Sequence, residues 1–277
     1  MSKTIKIHHL HCGQVQVDIA LPFRQTTGII PKIHPALAAI GLLRSKKHQV
    51  VLPVSSFLVE HPKGLVLLDT GWHTDMRIDQ IKHLGRFHYK INKGSLPEGK
   101  AITEQLAQLG ITPKDLDYVV VSHLHSDHVS GVKLLTDAKN IITSEEEWAN
   151  RKSRVNVPSM YKGIDFKPFK FSPSNYGPQK RAFDLFDDES VLFVHYGGHT
   201  PGLFGTLVQN NGKFFIYAGD CGYAKKSWEQ MIMPGICKNE DQLRKALEWE
   251  RIMSRQPNCI DIIACHDTEA KPQVIEF

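Results

Sequence analysis

Short apolar runs separated by turn residues dominate the first half of the chain. Residues 57–60 and 65–69 flank His61-Pro62-Lys63-Gly64, whose proline and glycine favour a turn, so this part predicts a β-hairpin. Residues 117–121 are rich in β-branched side chains and follow a helix-like stretch at 103–109. That run predicts a buried strand.

The second half alternates between helical and extended patterns. Residues 129–135 suit a short helix and 141–143 a strand, and Ser144 is placed to cap a further helix that has acids in its first turn. Three more strands are predicted at residues 191–194, 205–208 and 213–217. The Asn211-Gly212 pair between the last two favours a tight hairpin turn.

The chain ends with a predicted helix over 239–255 and a buried strand over 259–263. The helix has Leu243, Ala246, Leu247 and Met253 at helical spacing on one face. Each half of the chain thus begins with predicted strands and continues with a mixture of strands and helices. This order predicts an α/β (α+β) fold in which two sheets pack together with helices outside.

Three stretches show weak periodicity: residues 22–49, 72–100 and 151–181. Long loops in compact domains often cover or line a binding site. Because α/β chains of this length often form one unit, we expect a single domain over residues 1–277 with these three long loops.

Composition is that of a globular protein, with 41% hydrophobic and 23% charged residues. No signal-peptide core, long apolar span or Cys-x-x-Cys pair is present, so we expect a cytoplasmic protein with reduced thiols and no membrane partner. The net charge of +5 is interspersed with acids, and we expect no nucleic-acid partner. A homodimer remains open.

The most informative motif is His123-Leu124-His125-Ser126-Asp127-His128, directly after a predicted buried strand. In an extended segment His123 and His125 point the same way and can bind one metal. Asp127 and His128 lie where the chain turns toward a helix and can face a second metal. Imidazole and carboxylate ligands together favour zinc, although cobalt, manganese or iron can bind the same groups.

Three later residues occur in the same context, at a strand end followed by a turn. His199 lies in Gly197-Gly198-His199-Thr200-Pro201-Gly202, Asp220 follows Gly219, and His266 follows Cys265. We expect all three to lie with the His123–His128 motif at one rim of the sheets.

This ordered series, together with Leu68-Asp69-Thr70-Gly71, resembles the metallo-β-lactamase superfamily. The resemblance implies a four-layer αββα sandwich of two mixed sheets with helices on the outer faces. It implies two Zn²⁺ ions, one held by His123, His125 and His199 and the other by Asp127, His128 and His266, with Asp220 bridging them. Asp69 would orient a ligand imidazole from outside the metal shell.

A tyrosine three residues after the bridging aspartate, Tyr223, makes the chain most similar to the N-acyl-homoserine lactonases, the quorum-quenching lactonases. This resemblance implies that a metal-bridging hydroxide opens the lactone to an N-acyl-homoserine. Tyr223 would bind the substrate and stabilise the oxyanion, and Asp127 would relay a proton to the departing alkoxide. Ser126 stands where that family often has an apolar residue, so we expect it to contact the substrate.

Other members of the superfamily remain alternatives: a glyoxalase II-like thioesterase, another lactonase, or a phosphodiesterase or nuclease. A nuclease is favoured only by a basic loop with Lys162, Lys167, Lys170, Lys180 and Arg181. Flavodiiron proteins differ because His125 stands where they have glutamate. A non-catalytic relative would have lost ligands, and here every ligand position is filled.

Acyl-chain length, native metal and oligomeric state are not fixed by the sequence. Apolar residues of the first two loops are candidates for an acyl pocket, with core cover or a dimer surface as alternatives: Phe23, Ile29, Ile30, Leu42, Leu43, Phe87 and Tyr89. His8, His9 and His11 lie on a predicted first strand, where we expect partly exposed side chains and not a metal site.

Overall fold

Two β-sheets form the centre of the fold in the computed structural model, which describes residues 4–24, 37–38 and 44–277. The strands in these residues are β1 (Lys6–Asp18), β2 (Gln49–His61), β3 (Gly64–Leu68), β4 (Lys93–Ser95), β5 (Tyr118–Val120), β6 (Ile141–Ser144), β7 (Phe166–Phe169), β8 (Ser172–Pro173), β9 (Arg181–Asp184), β10 (Val191–His195), β11 (Phe204–Asn210), β12 (Lys213–Gly219), β13 (Cys259–Ala264) and β14 (Val274–Glu276).

Both sheets are mixed. The first has the order β14-β1-β2-β3-β5-β6-β7, with β4 paired to β1, and the second has the order β13-β12-β11-β10-β9-β8. Strands β3, β5, β6 and β7 run parallel to one another in the first sheet, and β12 runs parallel to β13 in the second. The carboxyl ends of the parallel strands therefore meet at one edge of each sheet.

The helices are short, apart from the last. They are α1 (Gln80–Leu84), α2 (Arg86–Ile91), α3 (Ile102–Gln108), α4 (Ser126–Val129), α5 (Glu145–Ala149), α6 (Lys225–Glu229) and α7 (Glu240–Met253). Single 3₁₀ turns or short 3₁₀ helices occur at Lys46–His48, Thr74–Arg77, Pro113–Asp115, Ser130–Leu135 and Pro158–Met160. Among the residues described, no helix combines the length and the apolar character needed to cross a membrane.

Alternation along the strands of the second sheet creates the central core. Phe193, Phe215 and Tyr217 point toward the first sheet, where Phe57 contacts both Phe215 and Tyr217. Because side chains alternate faces along a strand, their neighbours, such as Ile216, point to the opposite face. The two sheets thus bury a shared aromatic and aliphatic layer between them.

Helices cover the outer faces. Leu243, Ala246 and Leu247 of α7 are fully buried against the outward side chains of the second sheet. On the other side, α3 contacts β1 and buries Ile102 and Leu106. The predicted four-layer αββα arrangement is confirmed.

Most elements predicted from the apolar pattern are present. The hairpin pairs Phe57 with Leu68 and His61 with Gly64, and Asn239 caps α7 by accepting the amide hydrogen of Gln242. The helix predicted from residue 129 was wrong in its start, because α4 already begins at Ser126 and gives way to a 3₁₀ helix.

Two of the segments expected to be long loops contain short elements. Residues 72–100 include α1, α2 and β4, and residues 151–181 include the edge strand β7. β7 buries only its two terminal phenylalanines, Phe166 and Phe169, so its sequence lacks regular alternation. Much of residues 22–49, including Ile29, Ile30, Leu42 and Leu43, lies outside the described residues.

The expectation of exposed histidines on the first strand was wrong for His9. Its side chain is 1% exposed, because the ring stacks on Phe57 with centroids 4.6 Å apart. Both ring nitrogens have partners, Ser55 Oγ at 3.0 Å and the Lys271 carbonyl at 3.0 Å. Sequence alternation cannot show that a polar ring is satisfied in this way inside the core.

Replacing Phe204 with alanine tests the inter-sheet core. Phe204 is 1% exposed and lies 5.1 Å from Phe193 and 5.3 Å from Phe169 between ring centroids. The variant Phe204→Ala should lose about 3–5 kcal/mol of unfolding free energy in urea, because it leaves a cavity in a packed layer. Ile252→Ala, at a position 57% exposed on α7, is the control and should change stability by less than about 0.5 kcal/mol. Equal losses in the two variants would contradict the assignment of the core.

Candidate metal centre

The ends of parallel strands bring the predicted ligands together. Leu68 pairs with Val120 at the ends of β3 and β5, and Gly219 pairs with Ala264 at the ends of β12 and β13. The residues that follow these strands are Asp69, His123, Asp220 and His266. The site therefore lies where the carboxyl ends of both sheets converge.

The first group of donors contains three imidazoles. His125 Nδ1 lies 3.1 Å from His123 Nε2 and 2.9 Å from His199 Nε2. Oδ2 of Asp220 approaches the same group, at 3.8 Å from His123 Nε2 and 3.6 Å from His199 Nε2. These four residues present donor atoms within 4.8 Å of one another.

The second group lies on the other side of Asp220. Its Oδ1 is 3.2 Å from His128 Nε2 and 3.4 Å from His266 Nε2. Asp127 Oδ2 is 3.4 Å from His266 Nε2. One carboxylate thus turns one oxygen toward each group.

Burial leaves the first group uncharged. It lowers the pKa of His125 to about 4 and that of His199 to about 3, and it holds the pKa of His123 well below its usual value. The neighbouring imidazoles add to the effect for His123 and His199. All three rings are neutral at pH 7, so each has a lone pair available for a cation.

The second group has the opposite electrostatics. Burial opposes charge on His128, yet Cys265, Asp220 and Asp69 together raise its pKa well above the usual value. Burial likewise disfavours the Asp220 carboxylate, but His128 and His266 hold its pKa well below the ordinary range. Asp220 is therefore an anion between five histidines.

Buried atoms without hydrogen bonds show that the residues fit a metal. In the described part of the chain, His128 Nε2 and Asp220 Oδ1 lie 3.2 Å apart and are buried, yet neither makes a hydrogen bond of acceptable geometry. Leaving such atoms unsatisfied costs about 1–3 kcal/mol each. Imidazole nitrogens and carboxylate oxygens that face a common point suit a divalent metal ion.

Cys265 is a candidate donor that sequence reasoning missed. It is fully buried, its Sγ lies 3.5 Å from the Ser55 carbonyl oxygen, and its donor atom belongs to the group with His128, Asp220 and His266. The sequence predicts only a reduced thiol here, because the cysteines are scattered and form no Cys-x-x-Cys pair.

Asp69 holds the His128 ring in place. Its Oδ2 accepts hydrogen bonds from His128 Nδ1 at 2.7 Å, from Ser122 Oγ at 2.7 Å and from the Tyr217 hydroxyl at 2.5 Å, and its Oδ1 accepts the Ser122 amide at 2.7 Å. A partner on Nδ1 leaves Nε2 of His128 directed at Asp220. Asp69 adopts a positive φ of 57°, which its short polar side chain tolerates.

Glu147 connects the loop that carries His123 and His125 to the loop that carries His199. Sequence reasoning missed this residue. Its fully buried carboxylate accepts the Leu124 amide at 3.0 Å, the Thr200 hydroxyl at 2.6 Å and the Gly202 amide at 3.2 Å. Burial raises the pKa of Glu147, and these hydrogen bonds partly offset that rise. Glu145, Glu146 and Glu147 follow the capping serine alike in sequence, so nothing there singled out the buried one.

A cavity opens directly above both donor groups. Its volume is about 230 Å³, and its walls include Ser126, Asp127 and Tyr223. The Tyr223 ring stacks on His266 with centroids 5.1 Å apart and an interplanar angle of 16°. Burial, with Asp220 and Asp127 nearby, raises the pKa of Tyr223, so its phenol keeps its proton.

The chain is similar in sequence to a known superfamily and to two named proteins. The sequence model of the metallo-beta-lactamase superfamily matches residues 50–230. A protein of Agrobacterium fabrum strain C58 named N-acyl homoserine lactonase AttM is 26% identical over 249 residues, which covers 83% of this chain and 91% of the relative. A second protein of that organism, named N-acyl homoserine lactonase AiiB, is 27% identical and covers 80% of this chain and 79% of its own length.

A solved structure has the same fold. It is described as an N-acyl homoserine lactone hydrolase with the product N-hexanoyl-L-homoserine bound at its catalytic metal centre. It aligns with a TM-score of 0.75 and 20% identity, covering 95% of this chain and 94% of the other.

Replacing Glu147 with glutamine tests the bridge between the ligand loops. An amide offers one acceptor and brings a donor toward the Leu124 and Gly202 amides, so Glu147→Gln should lose about 1–3 kcal/mol of unfolding free energy. It should also weaken divalent-metal binding about 10- to 100-fold, measured by competition with a chromophoric chelator. Glu145→Gln changes an exposed acid of the same helical turn and should match the wild type. Unchanged metal affinity in Glu147→Gln would rule out the bridging role.

Proposed function

Because this chain belongs to the metallo-β-lactamase superfamily, we propose that it is a metal-dependent hydrolase that opens the ring of N-acyl-homoserine lactones, a quorum-quenching activity. The two relatives named N-acyl homoserine lactonase, AttM and AiiB, align over at least four fifths of the chain. The observation that carries the proposal is the position of Tyr223, stacked on His266 at a cavity that ends on both donor groups.

The cofactor we propose is a pair of Zn²⁺ ions. His123, His125 and His199 would hold one, and Asp127, His128 and His266 the other, with Asp220 contributing one oxygen to each. Cobalt, manganese or iron could take their place. When bound, such a pair lowers the pKa of water and polarises the substrate carbonyl. Supporting this assignment, the two Asp220 oxygens face different groups of imidazoles.

The chain's own residues then serve the reaction. The neutral phenol of Tyr223 donates a hydrogen bond to the lactone carbonyl oxygen as negative charge develops on it. The oxygen of water bonds to the carbonyl carbon, and the ring C–O bond breaks. Asp127, 7% exposed on the cavity wall, takes a proton from that water and passes it to the departing ring oxygen. The product is an N-acyl-homoserine.

The cavity suits an acyl chain. Six aliphatic side chains from four parts of the chain line it: Val15, Val17, Leu21, Ile91, Val155 and Ile236. Burying an aliphatic chain against such a wall contributes about 0.8 kcal/mol per methylene group. Phe87, one of the candidates for an acyl pocket, is 55% exposed and does not line this cavity.

A polar pair lines the cavity at the position where Ser126 departs from related lactonases. Asn92 Nδ2 donates a hydrogen bond to Ser126 Oγ at 3.2 Å. Asn92 Oδ1 is buried, and no described residue hydrogen-bonds to it. Asn92 lines the cavity, so we infer that its side chain supplies an acceptor for the amide N–H of an N-acyl-homoserine lactone, and the bond to Ser126 restrains that side chain.

A nuclease gains no support from the basic loop. Arg181 pairs with Glu146, and Lys167 donates to Asn140 Oδ1 at 2.9 Å. None of the five basic residues of that loop lines the cavity described above the donor groups. The lysine that lines this cavity is Lys238, so a phosphate backbone bound there would contact a single lysine of the described residues.

Two further expectations stay predictions, a single domain over residues 1–277 and a cytoplasmic location, and a homodimer remains open. A shared core between the two sheets supports the first, since residues of both sheets belong to one hydrophobic cluster.

Tyr223→Phe tests the lactonase mechanism. Loss of the hydroxyl should lower kcat about 100-fold on N-acyl-homoserine lactones, followed by the acid released on ring opening, because the oxyanion loses a donor. Tyr176→Phe is a matched control, since the Tyr176 hydroxyl bonds Glu189 and does not line the cavity. If the zinc-loaded wild type leaves these lactones intact but cleaves glutathione thioesters or phosphodiesters, the proposal fails.

Asn92→Ala tests recognition of the amide. The variant should raise KM about 10-fold for an N-acyl-homoserine lactone, the effect of one lost hydrogen bond, with kcat nearly unchanged. The matched probe is the α-acyloxy-γ-butyrolactone, in which an ester oxygen replaces the amide N–H. Its KM should be the same for both proteins, and an equal rise for the two substrates would count against an Asn92–amide contact.

A further inference from the structure

A second group of metal-binding side chains lies outside the centre described above. His73 and Asp75 lie at the start of the 3₁₀ helix Thr74–Arg77, and His83 lies on α1. Their donor atoms are all within 4.8 Å of one another. We propose that these three residues form a separate site for a divalent transition-metal ion, with zinc as its best-fitting occupant.

The Asp75 carboxylate lies between the two imidazoles. Its Oδ2 is 3.4 Å from His73 Nδ1 and 3.7 Å from His83 Nδ1. His73 Nδ1 accepts the Asp75 amide hydrogen at 3.0 Å, so that nitrogen carries no proton of its own. Its single lone pair is shared with that amide, so a metal bound to Nδ1 takes the place of the hydrogen bond, and the nearby Oδ2 supplies the negative charge that favours a cation there.

The His83 ring is oriented as a metal ligand usually is. Its Nε2 lies 2.8 Å from Ser130 Oγ, which also accepts the His73 backbone amide at 3.0 Å. When Nε2–H donates to Ser130, the lone pair of His83 is on Nδ1 and faces Asp75. Such an outer hydrogen bond, which fixes the tautomer and the ring, typically accompanies histidine coordination.

Charge and shape also suit a cation with an open coordination position. Burial lowers the pKa of both His73 and His83, so both rings are neutral at pH 7. Two imidazoles and a carboxylate are a common zinc donor set, with water or another ligand completing the shell. That position would face a cavity of about 320 Å³ next to the three residues.

Two lysines on the cavity wall, Lys82 and Lys133, moderate the affinity. Their positive charge disfavours a cation, so we expect weaker binding here than at the main centre. The site lies within residues 73–83, and Asn92 of the substrate cavity follows nine residues later. An ion here would tie this segment to Ser130, two residues after His128.

Counting metal ions tests the proposal without any measurement of activity. The full chain is equilibrated with buffered free zinc from nanomolar to about 100 µM, and bound zinc is measured by plasma mass spectrometry. The wild type should bind one more ion at the upper end than the main centre holds. His83→Gln and Asp75→Asn should each lose that ion and keep those bound at nanomolar zinc. His48→Gln, in a half-buried histidine outside both groups, should behave as the wild type.

Folding is checked by near-ultraviolet circular dichroism, so that a lost ion is not mistaken for an unfolded variant. Cobalt supplies a second readout. Once the main centre is filled, further cobalt bound by the wild type should add visible absorption, and this addition should be missing in His83→Gln. The proposal is overturned if the wild type gains no weaker ion up to about 100 µM zinc, or if both variants retain it while folded. Neither result bears on lactone hydrolysis, so the two proposals fail separately.

Discussion

The rest of the site depends on the charge interaction between the buried Asp220 carboxylate and the imidazoles around it. Asp220 is 2% exposed, yet it remains an anion because imidazoles surround it on both sides. A buried charge of this kind costs several kcal/mol unless opposite charges or hydrogen bonds compensate. The fold provides the compensation by ending β12 and β13 side by side, so that Asp220 and His266 emerge at the same level. A metal pair would take over that role, and Oδ1, which lacks a hydrogen bond in the described chain, is already directed at the second group.

Two further buried carboxylates keep the donors in position, and they act on different parts of the site. Asp69 follows β3 and fixes the His128 ring through its Nδ1, which determines the atom that faces Asp220. Glu147 acts on backbone instead, joining the loop that carries His123 and His125 to the loop that carries His199. Gly202 permits this contact, because a Cβ there would overlap the Glu147 backbone nitrogen. The ligand loops are thus held by carboxylates from neighbouring strand ends and helices, and their geometry does not rely on metal alone.

The parts of this arrangement that the sequence could predict are those encoded locally. Strands β5, β12 and β13 were recognisable as apolar runs, and the polar residues after them had to lie at strand ends, which was enough to assemble His123, Asp220 and His266. Glu147 was not predictable, since its three partners are 23, 53 and 55 residues away along the chain and two of them are backbone amides. Asn92 was missed for the same reason, because its contact with Ser126 depends on how α2 packs. His9 was wrongly expected to be partly exposed, because the stacking on Phe57 that buries it is a tertiary contact.

The mixed lining of the cavity limits which substrates suit it. Six aliphatic side chains line it together with the histidine and aspartate donors, Tyr223, Lys238 and the Asn92–Ser126 pair. A ligand that places an apolar tail against Val15, Val17 and Ile236 and a compact polar head near Asp220 therefore suits this space. A nucleic acid has its charge spread along its length and no such tail, and a glutathione thioester carries charged groups at both ends of its peptide. A lactone with an amide-linked acyl chain matches both requirements, because its ring is small and uncharged and its only N–H lies between the head and the tail.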